Sequence, residues 1–547
     1  MRSFDFDFEV QKLFDNSFSE IKSTNWQEWL DLTTREEYEE LALKNSGLSS
    51  VENLFEKIEK EKSSSTDLSI DLDQYISENQ NSESLFICHS SGTTNSDLKA
   101  LKWFHMSKEV VENQWAPGMQ AIFESSGLNS KSSAVIFVPS RMKFDGIQIN
   151  EEFKYVSLYS SEFSQRVMLS IIRPKSYLFY EYKDSKTLEI ISKILSLEEI
   201  SVVSAPAATI LSWANLDKLK EGIKRTMTQK VQITNPILEN LISITRKKDL
   251  SSACHIIQQR LSNKLSNATL VFSISSLSEK DWSLIRRFMN WQKGHERFTN
   301  LYVVSEIGPF AASITKGDFM ISRSNKMYVF PLTIPVIEHN GKRELLTQTK
   351  NKIGKLLVSR LHNSEAVINI DLGDVISISN QEKLPLIEGK IIRSCFKLKY
   401  PIKITDEINL NSNYSIYAGD YFALKDFKII NPRKIINCLN MKCDLKSDSV
   451  LLINSNEHKW KLYLAPKVID DCSNQNKMYN IILECTEYSE LNKAIRNQLI
   501  KIISIKNPPI AFMAPRSEIL TEVRNGKLPK GILKKWPLYL LRLKNED

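Results

Sequence analysis

In the middle of this 547-residue chain, segments with one pattern of apolar and polar positions alternate with segments of a second pattern. Between about residues 85 and 375, short runs rich in β-branched and aromatic residues predict strands, and longer segments with apolar residues at helical spacing predict helices. Such alternation predicts βαβ units with a parallel sheet, and strands apolar on both faces predict helices on both sides. The strand-type runs are SLFICH, SAVIFVP, SYLFYEY, ISVVSA, ATLVFSIS and NLYVVS, and the helical segments include TLEIISKILSL and EKDWSLIRRFMNWQ.

The two flanks of this region differ from it. Residues 1–80 predict acidic helices at WQEWLDL, REEYEELALK and VENLFEKIEKEK. After about residue 375 the strand-type segments are closely spaced, which predicts a small α+β domain whose junction lies between Asp374 and Asp420. The chain is therefore predicted to be α/β: a large N-terminal domain with parallel-rich sheets covered by helices, and a small α+β C-terminal domain. In the C-terminal domain we expect strands at KLPLIEGKIIRS, KLKYPIKI, YFALKDFKII, SVLLIN, WKLYLAP and NIILEC, and helices at PRKIINCL and SELNKAIRNQLIKIIS.

Composition narrows the function classes. Apolar residues make up 42% and charged residues 25%, as in ordinary globular proteins. The net charge of +8 is spread among acidic residues, whereas nucleic-acid readers usually gather a basic stripe, so nucleic acid is not an expected partner. The N-terminus lacks the apolar region of a signal peptide, and no run approaches the ~18 apolar residues of a membrane span. These features predict a cytoplasmic protein without a membrane span.

The seven cysteines carry no metal-site signature. No pair has CxxC spacing and no His-rich segment accompanies them, so we expect buried free thiols in a reducing compartment rather than a zinc site.

The loop HSSGTTNSDLK, residues 89–99, follows the first apolar run. Glycine permits positive φ and close approach of a ligand, hydroxyls can hydrogen-bond phosphate oxygens, and a lysine adds a point charge on a flexible stem. The loop does not match the Walker pattern. Taken alone, it is more typical of a Ser/Thr/Gly-rich surface turn than of a phosphate-binding loop.

This loop resembles the phosphate-binding signature of the adenylate-forming superfamily, which includes acyl- and aryl-CoA synthetases, luciferases and peptide-synthetase adenylation domains. Asn95 replaces the last glycine of the signature, and Leu98 stands where proline precedes the lysine. Asn tolerates positive φ better than most residues, so the turn can survive this change. The matching residues are Ser90, Ser91, Gly92, Thr93, Thr94 and Lys99.

Three further stretches resemble the superfamily in the required order. TNLYVVSEIGPFA is similar to the segment N-x-Y-G-x-T-E-x-G-P, with Val303 in place of glycine. Gly373-Asp374 supplies a G-D pair, at a spacing most like the phenylacetate-CoA ligase and acyl-protein synthetase branch. LTEVRNGKLPKGIL resembles the C-terminal N-G-K motif. The matching residues are Asn300, Tyr302, Ser305, Glu306, Gly308 and Pro309 in the first segment, and Asn525, Gly526 and Lys527 in the last.

The resemblance covers roughly residues 85–535 and implies an AMP-forming ligase. It implies a large adenylation domain over residues 1–388, with a helical lead-in over 1–80, and a small mobile domain over 389–547. The implied reaction uses ATP and Mg²⁺ to convert an aryl or fatty acid to an acyl adenylate with release of pyrophosphate. The acyl group then passes to a thiol of CoA or of a carrier-protein phosphopantetheine, which makes an acyl carrier protein a possible partner.

The resemblance also implies roles for single residues. Glu306 would hold Mg²⁺ on the phosphates, Tyr302 would stack on adenine, and Asp374 would accept hydrogen bonds from the ribose hydroxyls. Lys527 would stabilise the charge that develops at the α-phosphorus. Each residue also has a plainer reading: a solvated glutamate, a core aromatic, a turn aspartate and an exposed lysine. Asn300, Ser305 and the loop residues would complete the nucleotide site.

The hinge and the acid pocket are less closely matched. The superfamily places G-R-x-x-D between its domains, and here Gly389-Lys390 or Asp420 can take that place, with lysine unable to reproduce a bidentate arginine contact. For the acid pocket the resemblance points to His105, Ser273 and Ser275, and His105 is as readily a structural histidine.

Two alternatives to thiol transfer remain. The adenylate can instead acylate a protein or an amine, which gives an acyl-protein synthetase or an amide-forming ligase. The departures at Asn95, Leu98, Val303 and Lys390 can instead mark a non-catalytic member that binds a nucleotide or a partner.

Overall fold

The computed structural model is an α/β protein whose described residues form a twelve-stranded, a six-stranded and a four-stranded sheet, with two further two-stranded sheets. The described residues are 6–22, 26–28, 34, 36–37, 40, 69–79, 85–90, 102–139, 145–149, 154–181, 186–228, 232–272, 279–292, 294–313, 326–330, 333–345, 351–360, 367–383, 386–398, 402–408, 410, 414–443, 445–446, 450–454, 460–466, 475–512 and 536–543.

The strands and helices are numbered in chain order. The strands are β1 Leu85–His89, β2 Trp103–His105, β3 Ser133–Val138, β4 Gly146–Ile149, β5 Lys154–Tyr159, β6 Ser176–Glu181, β7 Ile200–Ser204, β8 Thr269–Phe272, β9 Phe298–Val304, β10 Gly308–Ala312, β11 Lys326–Val329, β12 Thr333–His339, β13 Lys342–Leu345, β14 Ile353–Arg360, β15 Val367–Lys383, β16 Leu386–Arg393, β17 Phe396–Lys397, β18 Ile402–Ile404, β19 Tyr414–Ala418, β20 Tyr421–Ala423, β21 Lys428–Ile430, β22 Val450–Asn454, β23 Trp460–Leu464, β24 Ile500–Ser504, β25 Ile510–Phe512 and β26 Leu538–Leu543. The helices are α1 Phe6–Phe18, α2 Leu72–Glu78, α3 Ala116–Ser125, α4 Ser160–Ile172, α5 Thr187–Ser196, α6 Ala207–Ala214, α7 Leu216–Met227, α8 Pro236–Lys247, α9 Leu250–Leu265, α10 Glu279–Phe288, α11 Pro432–Cys443, α12 Gln475–Cys485 and α13 Glu490–Arg496.

One half of the twelve-stranded sheet is parallel, as the alternating pattern predicted. Its strands run in the order β6-β3-β7-β8-β9, and each neighbouring pair is parallel. Helices α5 to α10 pack their apolar residues against this half and form a large hydrophobic core. These parallel strands and packed helices confirm the predicted α/β fold class. The physical reason for the arrangement is that crossover helices must cover a sheet that is apolar on both faces.

The other half of this sheet is antiparallel, in the order β13-β12-β14-β15-β16-β11-β10. It joins the parallel half through β9 and β10, which pair antiparallel across a tight turn. The strand–helix alternation therefore ends at β9 rather than near residue 375, since short connections replace the crossover helices.

The four-stranded sheet, in the order β2-β1-β5-β4, lies beside the large sheet. Its central pair, β1 and β5, is parallel. The side chains of Val10, Phe14 and Phe18 on α1 pack into one core with Phe86 of β1 and Phe163 of α4. Most residues of the three helices that were predicted near the N-terminus lie outside the described ranges.

The C-terminal part corrects two sequence predictions. NIILEC, predicted as a strand, belongs to helix α12, where Met478 and Ile482 are buried at helical spacing. SELNKAIRNQLIKIIS, predicted as one long helix, is helix α13 followed by strand β24. The helix ends at Arg496, and Gln498, two residues on, takes a left-handed φ of 58°, which redirects the chain into the strand.

The cysteines are not all free, which corrects the expectation of free thiols. Cys438 of α11 and Cys485 of α12 form a disulfide, with their Cα atoms 5.5 Å apart. Their separation of 47 residues carries no short-range signature in the sequence. Cys88, Cys254 and Cys443 are buried free thiols, and Cys395 is a half-buried one.

None of the described helices combines the length and the apolar character needed to cross a membrane. The last strand of the large sheet, β16, ends at Arg393, and the first strand of the six-stranded sheet, β17, begins at Phe396. The predicted domain boundary at residue 389 thus falls within β16, and the two-domain division stays a prediction.

Candidate active site

The turn between β9 and β10 carries the candidate acidic residue, and close packing fixes its position. Gly308 has a φ of 98°, and a Cβ atom there would come within 3.0 Å of Trp115 Nε1. Trp115 is completely buried at the end of a π-helical segment, Val111–Trp115, that leads into α3. Glycine is therefore required at this position, both for the backbone conformation and for the approach of the indole.

Asp374 lies within a buried hydrogen-bonded group beside this turn. The Tyr302 hydroxyl donates to Asp374 Oδ2, and Arg393 Nη1 donates to Asp374 Oδ1 at 3.0 Å. The same Arg393 nitrogen donates to the Leu372 carbonyl at 2.7 Å. Gly373, with a φ of 70°, permits this approach, since a Cβ atom there would come within 3.2 Å of Arg393 Nη2.

Burial and charge shift the pKa of Tyr302, which donates to Asp374. Burial raises the pKa of the Tyr302 hydroxyl well above its ordinary value, and the Asp374 carboxylate raises it further. The Tyr302 ring also meets Phe310 edge to face, with centroids 5.6 Å apart. Tyr302 is therefore a neutral hydrogen-bond donor that is packed on one side by the core.

Glu306 has a half-buried carboxyl at the same end of the sheet. Burial raises its pKa, and Asp374 adds to the rise, while its own backbone N–H, Lys102 and Arg393 act in the opposite direction. Its backbone carbonyl accepts a hydrogen bond from Arg360 Nη1 at 3.3 Å. A carboxylate held in this way gains from any cation that enters the site.

The first residues of the hydroxyl-rich loop reach this turn from the four-stranded sheet. Cys88 Sγ lies 4.0 Å from the Ser305 carbonyl, and the Ser90 N–H donates to the Lys102 carbonyl at 3.0 Å. Burial raises the pKa of the Cys88 thiol well above its ordinary value, and the nearby Glu306 adds to this rise. The end of β1, the β9–β10 turn and Asp374 thus meet at one place, where parallel strands commonly present their ligands.

The remaining described candidates occupy varied positions. Asn300 lies within β9, where its N–H donates to Ser313 Oγ at 2.8 Å. The Ser305 hydroxyl donates to Ser160 Oγ at the start of α4. His105 packs its ring against Tyr75 of α2, with centroids 5.1 Å apart. Outside the described residues lie Ser91, Gly92, Thr93, Thr94, Lys99, Ser273, Ser275, Asn525, Gly526 and Lys527.

The two hinge candidates differ in their surroundings. Lys390 lies inside β16, where its backbone pairs with Ser377 of β15. The Asp420 N–H instead donates to the Arg393 carbonyl at 2.9 Å, and its carbonyl accepts from the Asn431 N–H at 2.8 Å. Asp420 is therefore adjacent in space to the arginine that binds Asp374, although 27 positions separate the two in sequence.

Sequence reasoning missed three cations of this site: Lys102, Arg360 and Arg393. Arg393 follows Gly389-Lys390, the pair in which a counterpart of the G-R element was sought, by only a few residues. Lys102 likewise lies only a few residues after Lys99, the lysine that the motif resemblance selected. For Arg360 the sequence carries no comparable signal.

The residues present fit a magnesium ion that is partly coordinated by substrate phosphates better than a metal ion that is coordinated by protein side chains alone. Among the described residues, no group of three or more His, Cys, Asp or Glu side chains can enclose a metal. Mg²⁺ typically uses one or two carboxylates together with substrate phosphates and water. Glu306, half-buried and near the positive charges of Lys102 and Arg393, matches that pattern.

Comparisons with known proteins give structural neighbours only. No family model matches the sequence, and no curated protein matches it. An open conformation of 2-hydroxyisobutyryl-CoA ligase in complex with 2-HIB-AMP and CoA is 10% identical, with a TM-score of 0.46 over 94% of this chain and 92% of that chain. O-succinylbenzoate CoA synthetase from Bacillus subtilis, in complex with ATP and magnesium ion, is 10% identical, with a TM-score of 0.41 over 77% and 66% of the two chains.

An amide bond synthetase from Marinactinospora thermotolerans is also similar, at 10% identity and a TM-score of 0.39, over 77% of this chain and 65% of that chain.

Proposed function

We propose that this chain is an adenylate-forming ligase that activates a carboxylic acid with MgATP. The observation that carries the proposal is the meeting of Tyr302, Glu306, Asp374 and Arg393 with the end of β1 at one edge of the sheets. Tyr302 and Glu306 come from one segment, Asp374 and Arg393 from a second and the end of β1 from a third, and the motif resemblance selects Tyr302, Glu306 and Asp374. Tyr302, Asp374 and Arg393 share one hydrogen-bonded group, and the charges of Asp374 and Arg393 both act on the pKa of Glu306.

Asp374 has the capacity for the ribose. It accepts from Tyr302 on one oxygen and from Arg393 on the other. An ionised carboxylate offers about four lone-pair sites. Two acceptor positions thus remain for the ribose hydroxyls, and Arg393 stays near enough to contact a phosphate or the ribose itself.

In the first half-reaction, a carboxylate oxygen of the acid attacks the α-phosphorus of ATP. The bond from that phosphorus to the bridging oxygen breaks, and pyrophosphate leaves with the electron pair. When bound, Mg²⁺ would neutralise phosphate charge. Glu306 would hold that ion, Lys102 and Arg393 would add positive charge, and Lys527 would stabilise the transition state from the small domain. Orientation of the two substrates would supply much of the remaining rate.

In the second half-reaction, a thiol sulfur attacks the acyl carbonyl carbon. The bond from that carbon to the phosphate oxygen breaks, AMP leaves, and the thiol proton passes to solvent. CoA or the phosphopantetheine of an acyl carrier protein would supply the thiol. The acid would be an aryl or fatty acid, as the resemblance implies.

Pyrophosphate exchange into ATP with a panel of carboxylic acids tests the first half-reaction. We expect exchange with at least one aryl or fatty acid, and a loss of at least a hundredfold in Lys527→Ala. Lys501→Ala, which removes an exposed lysine of β24, should exchange like the wild type. No exchange with any acid would favour the non-catalytic alternative, and undiminished exchange in Lys527→Ala would refute the role of that lysine.

The acceptor is identified by AMP release. Once an acid is known, CoA, purified carrier protein and hydroxylamine are added separately. Stimulation by CoA or carrier protein would support thiol transfer. Stimulation by an amine, with neither thiol effective, would instead identify an amide-forming enzyme.

A further inference from the structure

A fully buried histidine–aspartate pair lies at the base of the hydroxyl-rich loop. His89 Nε2 is 2.5 Å from Asp145 Oδ1, and both side chains have no exposed area. His89 Nδ1 is 2.9 Å from the Ser90 carbonyl oxygen. The ring also contacts Trp103 and Tyr159, with centroids 4.7 Å and 5.6 Å away.

The hydrogen-bond partners determine where the protons lie. A carbonyl oxygen only accepts, so His89 Nδ1 must carry a proton and donate it to Ser90. A carboxyl oxygen faces Nε2, and two bare lone pairs would repel, so a second proton lies between Nε2 and Asp145. These two contacts fix the orientation of the imidazole.

Hydrogen bonds connect the His89–Asp145 pair to the backbone of Ser90 and, through Ser90, to the backbone of Lys102. These two residues are the neck of the loop. Ser90 accepts from His89 through its carbonyl and donates through its N–H to the Lys102 carbonyl at 3.0 Å. In the strand register, His89 lies opposite Trp103. The preceding residue, Cys88, contacts the Ser305 carbonyl next to Glu306. The neck, Ser90 and Lys102, is therefore held against the Ser305–Glu306 turn.

We propose that His89 and Asp145 are positioning residues that hold this neck in the geometry needed to bind MgATP. The proposal rests on the proposed function. Neither side chain contacts the nucleotide, because both are completely buried. They act through Ser90 and Lys102, whose alignment with Glu306 sets the distance between the loop and the metal-binding carboxylate.

The kinetic test compares variants that break the Ser90 contact with one that keeps it. His89→Phe retains an aromatic ring but cannot donate to Ser90. Asp145→Asn should be tolerated, because its amide can donate to a bare Nε2 while Nδ1 still donates to Ser90. In pyrophosphate exchange we expect the KM for MgATP to rise at least tenfold in His89→Phe and less than threefold in Asp145→Asn, with the KM for the acid unchanged in both.

A matched control uses His339 of β12, whose Nδ1 likewise meets a backbone carbonyl, that of Ile353, at 2.7 Å. His339→Phe should leave the KM for MgATP unchanged. Equal KM values in His89→Phe and the wild type would overturn the proposal. A KM in Asp145→Asn raised as much as in His89→Phe would overturn it too, since charge rather than positioning would then matter. If His89→Phe does not fold, Asp145→Ala replaces it with the same expected result.

A second measurement separates this proposal from the function on which it rests. Amide hydrogen exchange of the Ser90 N–H reports the neck directly and needs no activity. We expect it to become at least tenfold faster in His89→Phe than in the wild type or in His339→Phe. Unchanged exchange would overturn the positioning role even in an active ligase, whereas absent MgATP binding with faster amide exchange would overturn only the proposed function.

Discussion

Two buried clusters of charged residues in this protein differ in how completely their charges are satisfied. In the Arg166 cluster, which joins α4 to α1, Arg166 is entirely buried. It donates to Glu162 through Nη2 at 2.7 Å and Nε at 3.0 Å, and to Asp7 at 2.6 Å. Its guanidinium also lies 4.3 Å from the centre of the Phe179 ring.

The candidate site is built from the same residue types but stays open. The side chains of Arg393 and Asp374 retain 30% and 10% of their exposure. Glu306 is half-buried, with a pKa raised by burial. Among the described residues, burial outweighs the positive charges of Lys102 and Arg393 at Glu306, since the pKa of its carboxyl is raised.

The contrast indicates what each cluster is for. A saturated cluster has no capacity left for a ligand and serves to attach the N-terminal helix. An open cluster costs stability in the free protein, and under the proposed function this cost would be recovered when a cation and a nucleotide bind. The clusters should therefore respond to substitution in opposite ways, one in folding and the other in activity.

The largest expected effect is on folding, in Arg166→Met. This change leaves Glu162 buried without its cation, which should lower the free energy of unfolding by about 3–5 kcal/mol. Chemical denaturation measures the loss, while kcat per folded molecule in pyrophosphate exchange should stay within about twofold. Arg225→Met is the control, because Arg225 pairs with Glu221 at 3.8 Å on the surface and should cost only about 0–1 kcal/mol. Equal losses in both variants would contradict a structural role for the cluster.

Glu306→Gln should lower activity and leave stability unchanged, which is the opposite of the result expected for Arg166→Met. We expect the rate of pyrophosphate exchange to fall about 10²–10³-fold, with no loss of stability, because the charge that binds the metal is removed. Glu338→Gln, on β12 beside Arg343, should keep full activity. A stability loss in Glu306→Gln without an activity loss would make Glu306 part of the fold rather than of the site.

Tyr302→Phe should have a smaller effect. Loss of the hydroxyl leaves Asp374 one donor short, which is worth about 1 kcal/mol, or roughly a fivefold rise in the KM for MgATP. Tyr180→Phe is the matched control, since the buried Tyr180 hydroxyl has no hydrogen-bond partner among the residues that the structure describes. An unchanged KM in Tyr302→Phe would show that this hydroxyl does not shape the site.

The smallest expected effect concerns pH. Burial raises the pKa of Glu306 above its ordinary 4.5, so the folded state binds more protons than the unfolded state between 4.5 and the raised value. In that window, the Glu306 contribution to stability falls as pH rises. Denaturation across this range should show a smaller decline in Glu306→Gln than in the wild type. An identical pH dependence in the two proteins would contradict the desolvation of Glu306.

Sequence pattern predicted the parallel half of the large sheet better than the C-terminal region. Strands such as β3 and β7 are continuous apolar runs bounded by polar segments. NIILEC has equal apolar content, and a six-residue apolar run cannot by itself distinguish a strand from a buried helical face. The break after α13 depends on a left-handed Gln498, a conformation that glutamine does not signal.

Residues of the candidate site could be predicted from the sequence where they belong to a motif. They could not be predicted where residues distant in sequence come together only in the folded structure. Tyr302, Glu306 and Asp374 were identified by resemblance, and the structure brings them together. His89 and Asp145 meet across 56 residues of sequence, and no local pattern links them. Arg393 was missed because lysine at position 390 took the expected place of an arginine.

Titration calorimetry with MgATP tests most directly whether the open cluster is a nucleotide site. Asp374→Asn is compared with the wild type and with Asp371→Asn, an exposed aspartate of the same strand that pairs with Lys355. We predict that the wild type and Asp371→Asn bind MgATP alike and that Asp374→Asn binds at least tenfold more weakly, a difference of about 1.4 kcal/mol. Equal affinity in all three proteins, or no binding by the wild type, would contradict a nucleotide site at Asp374.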